Sequence, residues 1–535
     1  PLYEYFPLGF KTLQRHLSNS GFDVKLDNLS TVLLRYPKLD FDTLIEALDV
    51  KLLGLDLHWM VHVQGSLAVA ERVKNVRPDI PVIFGGISST YYADQLIRYP
   101  FIDMVMKGYD THEPMAELLE AIMQDREPVG VPNLLWKSAE GAVRENHFSH
   151  KPSTFGCGID WSEAPSEVVT DTFPIREFIS TQNAGCAFNC GWCGGSRDAF
   201  RRVNECNHAI VRKQQTEVAF EISTTSARPE SGGYHFYSVG SYNEPQRRMD
   251  HLIEQIGQSP LKSVSYEQFL LTDDRTLEQM ARANSRTTIT LSPESHDLRV
   301  AKLAGRGAYT NDELEQWIAK ALDRGIHGID IWYFVGMPEQ DEASVLGTVE
   351  YCQKLLERFK GTNVNPMICP MIPFLDPASS FFEDPDRHGY RVFYRTVEEH
   401  RRGMERASVI NRINYETKWL RRSDLVHVGF RAVRAVMEAK GATGMLPASS
   451  VRDYNSTIDD ALEFVDVVHE VDSITNRDVR ARELERLGDA ILDRNNMIFF
   501  SGVKNQAFPI NRDIGARWFD EMGWEPEDLE AAQRR

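Results

Sequence analysis

The sequence predicts an α/β protein of three parts: a doubly wound parallel sheet, a partial (β/α)6 barrel and a mainly helical carboxyl-terminal region. Three observations carry this. Short apolar runs alternate with amphipathic helical segments over residues 1–125 and again over 175–375, a rhythm that builds parallel sheets. Between them, over 126–174, the periodicity fades and prolines accumulate. Beyond residue 376 apolar residues recur at helical spacing only. The 535 residues leave room for two to four domains, each with its own core.

In the first part, Pro7 can open a helix with Leu13 and Leu17 on one face and Gly21 as its stop. Strands follow at 24–26, 52–57, 82–84 and 104–106, with helices at 41–48, 64–74, 91–98 and 114–123. Ligands of such sheets sit beyond the carboxyl ends of the strands. Those ends carry Asp56, His58, Trp59 and His62, then Gly85, Gly86 and Ser88, then Gly108 and Tyr109. Paired glycines admit a close ligand, but they also make plain tight turns.

The Pro-rich link holds one small hairpin, 133–137 with 142–145, turning at Gly141. Barrel strands are expected at 178–181, 235–239, 264–270, 287–291, 328–335 and 367–372. Helices are expected at 212–223, 247–256 and 275–283, and another begins at a capping box of Thr310 and Glu313. Chemistry in barrels collects at the carboxyl ends of the strands. There lie Gly240 and Ser241, Ser292 and Glu294, Arg306 a little further on, and Gly336. A loop at 376–389 leads to helices at 397–410, 425–440, 458–468 and 478–493. Tyr415, Trp419 and the apolar run 497–500 suit a core or a pocket equally.

After the first barrel strand come Cys186, Cys190 and Cys193, spaced three and then two residues apart in a chain of seven cysteines. Three thiolates on one loop can hold three irons of a cubane and leave the fourth iron open. The other use is a zinc site closed by Cys206 or His208.

This cysteine spacing, with Trp192 before the last cysteine, resembles the radical S-adenosylmethionine (SAM) superfamily. Pro7-Leu8-Gly9, Gly85-Gly86 and the Gly-Tyr-Asp-x-x-Glu-Pro of 108–114 resemble the Rossmann-like cobalamin-binding domain ahead of the barrel in class B radical SAM enzymes. The resemblance implies a cobalamin domain over 1–125 whose first strand precedes the given sequence, a linker over 126–174, a partial TIM barrel over 175–375 and a helical substrate or cap domain over 376–535. It implies three cofactors: a [4Fe-4S] cluster on Cys186, Cys190 and Cys193, SAM, and cobalamin. SAM would meet Gly240, Ser241, Ser292, Glu294, Arg306 and Gly336; cobalamin would meet Asp56, His58, Trp59, Gly85, Gly86, Ser88, Gly108 and Tyr109. The Asp-x-His-x-x-Gly loop that supplies a cobalt ligand in other cobalamin proteins is absent from 1–125. A corrin without a protein ligand is therefore implied, with His58 and His62 the nearest alternatives. One departure is the Gly-Ser-Tyr-Asn-Glu-Pro of 240–245, where the superfamily often has Gly-Gly-Glu.

The activity implied is methyl transfer from SAM, through methylcobalamin, to an unactivated carbon of a small-molecule or natural-product intermediate, with electrons from an external flavodoxin or ferredoxin. Cyclisation or rearrangement with the same cofactors is the first alternative; a non-catalytic iron-sulfur or zinc protein is the second. A net charge of -18 argues against nucleic-acid binding. No apolar run reaches the roughly 18 residues of a membrane span, no signal peptide is evident, and the cysteines form no disulfide framework, so a cytoplasmic setting is expected.

Overall fold

A computed structural model describes residues 8–27, 29, 40–162, 176–227, 234–370 and 374–488. The apolar run 497–500 and the end of the last expected helix lie outside the described residues.

The first sheet runs β1 (Leu53–Asp56), β2 (Val82–Gly85), β3 (Met104–Met106), β4 (Leu134–Lys137), β5 (Val143–Glu145) in spatial order. β1, β2 and β3 are parallel; β4 and β5 are the expected hairpin, which adds antiparallel to β3 and so continues this sheet. Val82, Phe84 and Val105 are fully buried because helices lie on both faces. No strand forms at 24–26. The Gln14 side chain donates to the Val24 carbonyl at 3.0 Å, which takes that acceptor out of any ladder.

The link is stitched to both sides. Gly156 N donates to Asp110, Gly158 N to Glu217, Ile159 N to Glu221 and Trp161 N to Thr224, while Arg15 donates to the Gly158 carbonyl. Residues 154–161 are thereby a seam between the two sheets.

The barrel is six parallel strands in the order β7 (Arg176–Thr181), β10 (Tyr234–Val239), β11 (Ser263–Gln268), β12 (Thr287–Glu294), β13 (Gly328–Phe334), β14 (Asn363–Cys369). Two departures bear on the site. The helix expected at 212–223 runs Gln215–Ser226, because Ile210–Lys213 is a strand, β9. β9 joins β6 (Thr154–Phe155) and β8 (Asn183–Gly185) in a small sheet, and its buried Lys213 pairs with Glu221 at 2.7 Å. β12 runs on to Glu294 with a register shift after Leu291. Pro293 has no N–H for the ladder, and Glu294 takes φ +70°.

Beyond the barrel, the region is not wholly helical: β15 (Tyr390–Val392) and β16 (Tyr415–Thr417) pair antiparallel. The helix expected at 397–410 is two, Val397–Met404 and Val409–Arg412. The break lies where buried Asp472 accepts from Arg406, Ser408 N and Asn411. Long helices Arg422–Ala442 and Ala448–Asp472 follow. The first packs on β14 so closely that a Cβ at Gly429 would lie 1.9 Å from the Pro370 carbonyl oxygen. It covers the edge of the sheet that β14 leaves open.

Candidate functional site

The three cysteines stand on the loop after β8, at the carboxyl end of β7. Cys186 and Cys190 are buried and Cys193 is partly exposed. Each flank is fixed by a different element. Ala187 N donates to Asn243 Oδ1 at 2.9 Å, Gly191 N to the Ala304 carbonyl at 3.0 Å and Gly194 N to Asp376 Oδ2 at 2.9 Å. Two glycines admit the close packing: a Cβ at Gly191 would lie 2.1 Å from the Phe381 ring, and one at Gly305 2.9 Å from the Cys190 Cα. Burial pushes the Cys190 thiol up to about 12, with nearby Arg306 pulling the other way. Cys206 gives its thiol to the His208 carbonyl. Among the described residues these two do not gather with the loop thiols into a tetrahedral set.

Beside the loop, Glu294 and Arg306 pair, Arg306 Nε donating to Glu294 Oε1 at 3.1 Å. Both side chains are nearly buried, yet Glu294 Oε2 and Arg306 Nη1 have no hydrogen-bond partner among the described residues. Burial pushes the Glu294 carboxyl up against the pull of the guanidinium. The Arg306 guanidinium lies 3.2 Å from the Phe269 ring centre, and Phe269 in turn stacks on Tyr242 at 3.6 Å. A cavity of about 390 Å³ opens here, lined among others by Phe188, Phe269, Ser292, Arg306 and Tyr309. An orphan acceptor and an orphan donor side by side fit the amino and carboxylate ends of an amino acid such as the methionine part of SAM.

On the first sheet, Asp56 ends β1 with His58 and Trp59 just beyond it, and Gly85 ends β2 with Gly86 and Ser88 just beyond it. A Cβ at Gly86 (φ +112°) would lie 2.7 Å from His58 N, and Ser88 Oγ donates to the His58 carbonyl at 3.0 Å. Gly86 thus serves the loop's own packing, whereas Gly85 has open space where a side chain would stand. Trp59 and His58 lie beside Asp376, the carboxylate that holds Gly194. Burial pushes Asp376 up to about 6.

Residues 1–118 match the family model of the B12 binding domain. In fold the chain is similar to the radical SAM methyltransferase TsrM from Kitasatospora setae, in its structure with tryptophan substrate and a SAM analogue bound. The TM-score is 0.52 at 17% identity, over 72% of this chain and 76% of that one. The TsrM structure with cobalamin and a [4Fe-4S] cluster gives 0.51 at 16% identity, over 74% and 76%. The cobalamin-dependent SAM radical enzyme OxsB gives 0.51 at 12% identity, over 96% and 81%. This chain has the fold of a cobalamin-binding radical SAM enzyme.

No curated protein matches it in sequence. Among the described residues of this radical SAM fold, no helix is long and apolar enough to cross a membrane.

The remaining expected SAM residues lie at strand ends but have other occupations. The Gly240 carbonyl already accepts from Asn183 and from Asn243 N, and Ser241 Oγ donates to the Glu267 carbonyl. Gly336 N donates to Gln340, and its carbonyl accepts from Tyr390, which docks the β15–β16 hairpin. Gly108 N donates to Thr90 Oγ1, while Tyr109 donates to the Pro152 carbonyl and packs on Phe200. These two face the seam.

Three side chains escaped the sequence reading. Glu267, at the end of β11, accepts from Gly240 N at 2.9 Å, and burial pushes its carboxyl up. Its one signal was an acid within an apolar strand. Asp376 stood in a Pro- and Asp-rich loop with nothing to distinguish it. Asp110 pairs with His112 Nδ1 at 2.8 Å, within the Gly-Tyr-Asp-x-x-Glu-Pro motif of 108–114, of which only Gly108 and Tyr109 were expected at a ligand.

Proposed function

We propose that this chain is a cobalamin-dependent radical SAM methyltransferase, moving a methyl group from SAM to an unactivated carbon of a small molecule. One observation carries the reading: Asp376, which accepts from Gly194 N beside the three-cysteine loop, lies next to His58 and Trp59 of the B12 binding segment, so the two candidate cofactor sites adjoin. When bound, the cluster and SAM supply a carbon-centred radical for hydrogen abstraction, and the corrin supplies the methyl carrier.

The chain's own residues bind, orient and exclude water. Cys186, Cys190 and Cys193 would hold three irons of a [4Fe-4S] cluster. Arg306 would receive a carboxylate and Glu294 an ammonium. Glu267 fixes the Gly240 turn beside them. Phe188 and Phe269, backed by Tyr242, wall the cavity with aromatic surface, which keeps bulk water from a reactive centre. Gly85 and the loop after β1 would border the corrin.

Anaerobic reconstitution with iron, sulfide and hydroxocobalamin, followed by reaction with SAM and a low-potential reductant, tests this. Release of S-adenosylhomocysteine together with 5'-deoxyadenosine supports methyl transfer. 5'-Deoxyadenosine alone points to cyclisation or rearrangement. Zinc in place of iron, with neither product, overturns the proposal.

A further inference from the structure

The loop after β1 holds an arrangement that the proposed function leaves unused. Among the described residues, Asp56, His58 and His62 are the one group of three ligating side chains whose donor atoms lie within 4.8 Å of one another. The group lies inside the segment that matches the B12 binding domain. His58 Nδ1 rests against Asp56 Oδ2. A histidine held by a carboxylate through one ring nitrogen presents the other as its metal-binding atom, fixed in tautomer and direction.

Access and rigidity agree with that use. The His58 side chain is 57% exposed, against 31% for Asp56. The His62 ring lies edge-on to His58, 5.1 Å between centres, and walls one side. The His58 backbone is pinned by Ser88 and by the close approach of Gly86, and the next residue, Trp59, lies beside Asp376. Nδ1 is committed to Asp56, so one free donor points outward. That suits a single axial position better than a cage around a bare cation.

We propose that His58, oriented by Asp56, is the protein ligand to cobalt in the corrin bound by residues 1–118, through Nε2. The inference rests on the cobalamin reading of that segment. It departs from the expectation of a corrin without a protein ligand, which was drawn from the absence of an Asp-x-His-x-x-Gly loop.

The test is electron paramagnetic resonance of the cob(II)alamin form of the reconstituted full chain. Wild-type protein is expected to show each cobalt line split into three by one axial nitrogen. Protein grown with nitrogen-15 histidine is expected to show two lines in place of three, which separates a histidine from the cofactor's own base. In His58→Gln the protein-derived splitting is expected to vanish while corrin remains bound, and in His62→Gln it is expected to persist. Bound corrin whose spectrum ignores the nitrogen-15 label, or a label-sensitive splitting that survives in His58→Gln, overturns the proposal but leaves the cobalamin reading standing. Failure to retain corrin through gel filtration, or zinc retained in its place, overturns both. Where the substituted chains fail to fold, the labelled wild-type spectrum still decides whether a histidine ligates the cobalt, and its absence overturns the proposal.

Discussion

The Asp376 carboxylate accepts from Gly194 N at 2.9 Å, one residue past Cys193, and lies beside Trp59 of the loop after β1. A single side chain thus lies between the loop after β1 and the cysteine loop. Removing it leaves the Gly194 N–H without an acceptor, at a cost of about 1–3 kcal/mol. Asp376→Ala is expected to weaken corrin retention about tenfold and to lower iron content, whereas Asp376→Asn, which keeps an acceptor oxygen, is expected to retain most of both. Equilibrium dialysis of hydroxocobalamin and iron analysis read these effects. Unchanged corrin affinity in Asp376→Ala would remove the junction from the functional argument.

Glu294 and Arg306 make a near-buried pair with one open atom each. Glu294→Ala leaves the guanidinium buried and unpaired, a loss of about 3 kcal/mol by the behaviour of such pairs. SAM binding by calorimetry on reconstituted protein is expected to fall about a hundredfold, with iron content unchanged. Loss of iron instead would make the pair a scaffold for the cysteine loop.

Gly191 touches the Phe381 ring where any side chain would stand. Gly191→Ala is expected to displace the cysteine loop and reduce iron loading. The double substitution Gly191→Ala with Phe381→Ala is expected to recover part of it, because the clash is then relieved. Iron and sulfide per chain measure both.

The Asp110–His112 pair makes stability depend on pH. Burial opposes the charge on His112, but the bond to Asp110 and the nearby Cys157 prevail and hold it up at about 9. Burial likewise opposes ionisation of Asp110, yet His112 and the backbone N–H groups hold it down at about 2. His112 is raised above its unfolded value near 6.5, so its contribution is complete below about pH 6.5 and is lost as pH rises through 9. The Asp110 contribution is present above about pH 4 and is lost as pH falls toward 2. Urea titrations are expected to show wild type losing on the order of 2 kcal/mol between pH 6 and 9 through this pair, a slope absent from His112→Gln.

Local pattern made the elements legible. Alternating runs specified both sheets, and three closely spaced cysteines specified the loop, because a helix, a strand or a metal loop is encoded within a few residues. Contacts between distant segments were not legible in that way. Nothing near Asp376 in sequence indicates Trp59, more than 300 residues earlier, and nothing near Glu267 indicates Gly240. The strand expected at 24–26 failed for the same reason, since Gln14 captures an acceptor that local propensity assigns to a ladder. At Glu294 the strand outran its expected end because Pro293 bends the ladder without ending it.

The bonded seam of residues 154–161 has a mechanical consequence. A connector whose backbone groups are engaged by the helix Gln215–Ser226 on one side and by Arg15 and Asp110 on the other cannot act as a hinge. The two cofactor platforms then behave as one chassis, and whatever must enter or leave between turnovers does so by moving loops and cofactors past a stationary frame.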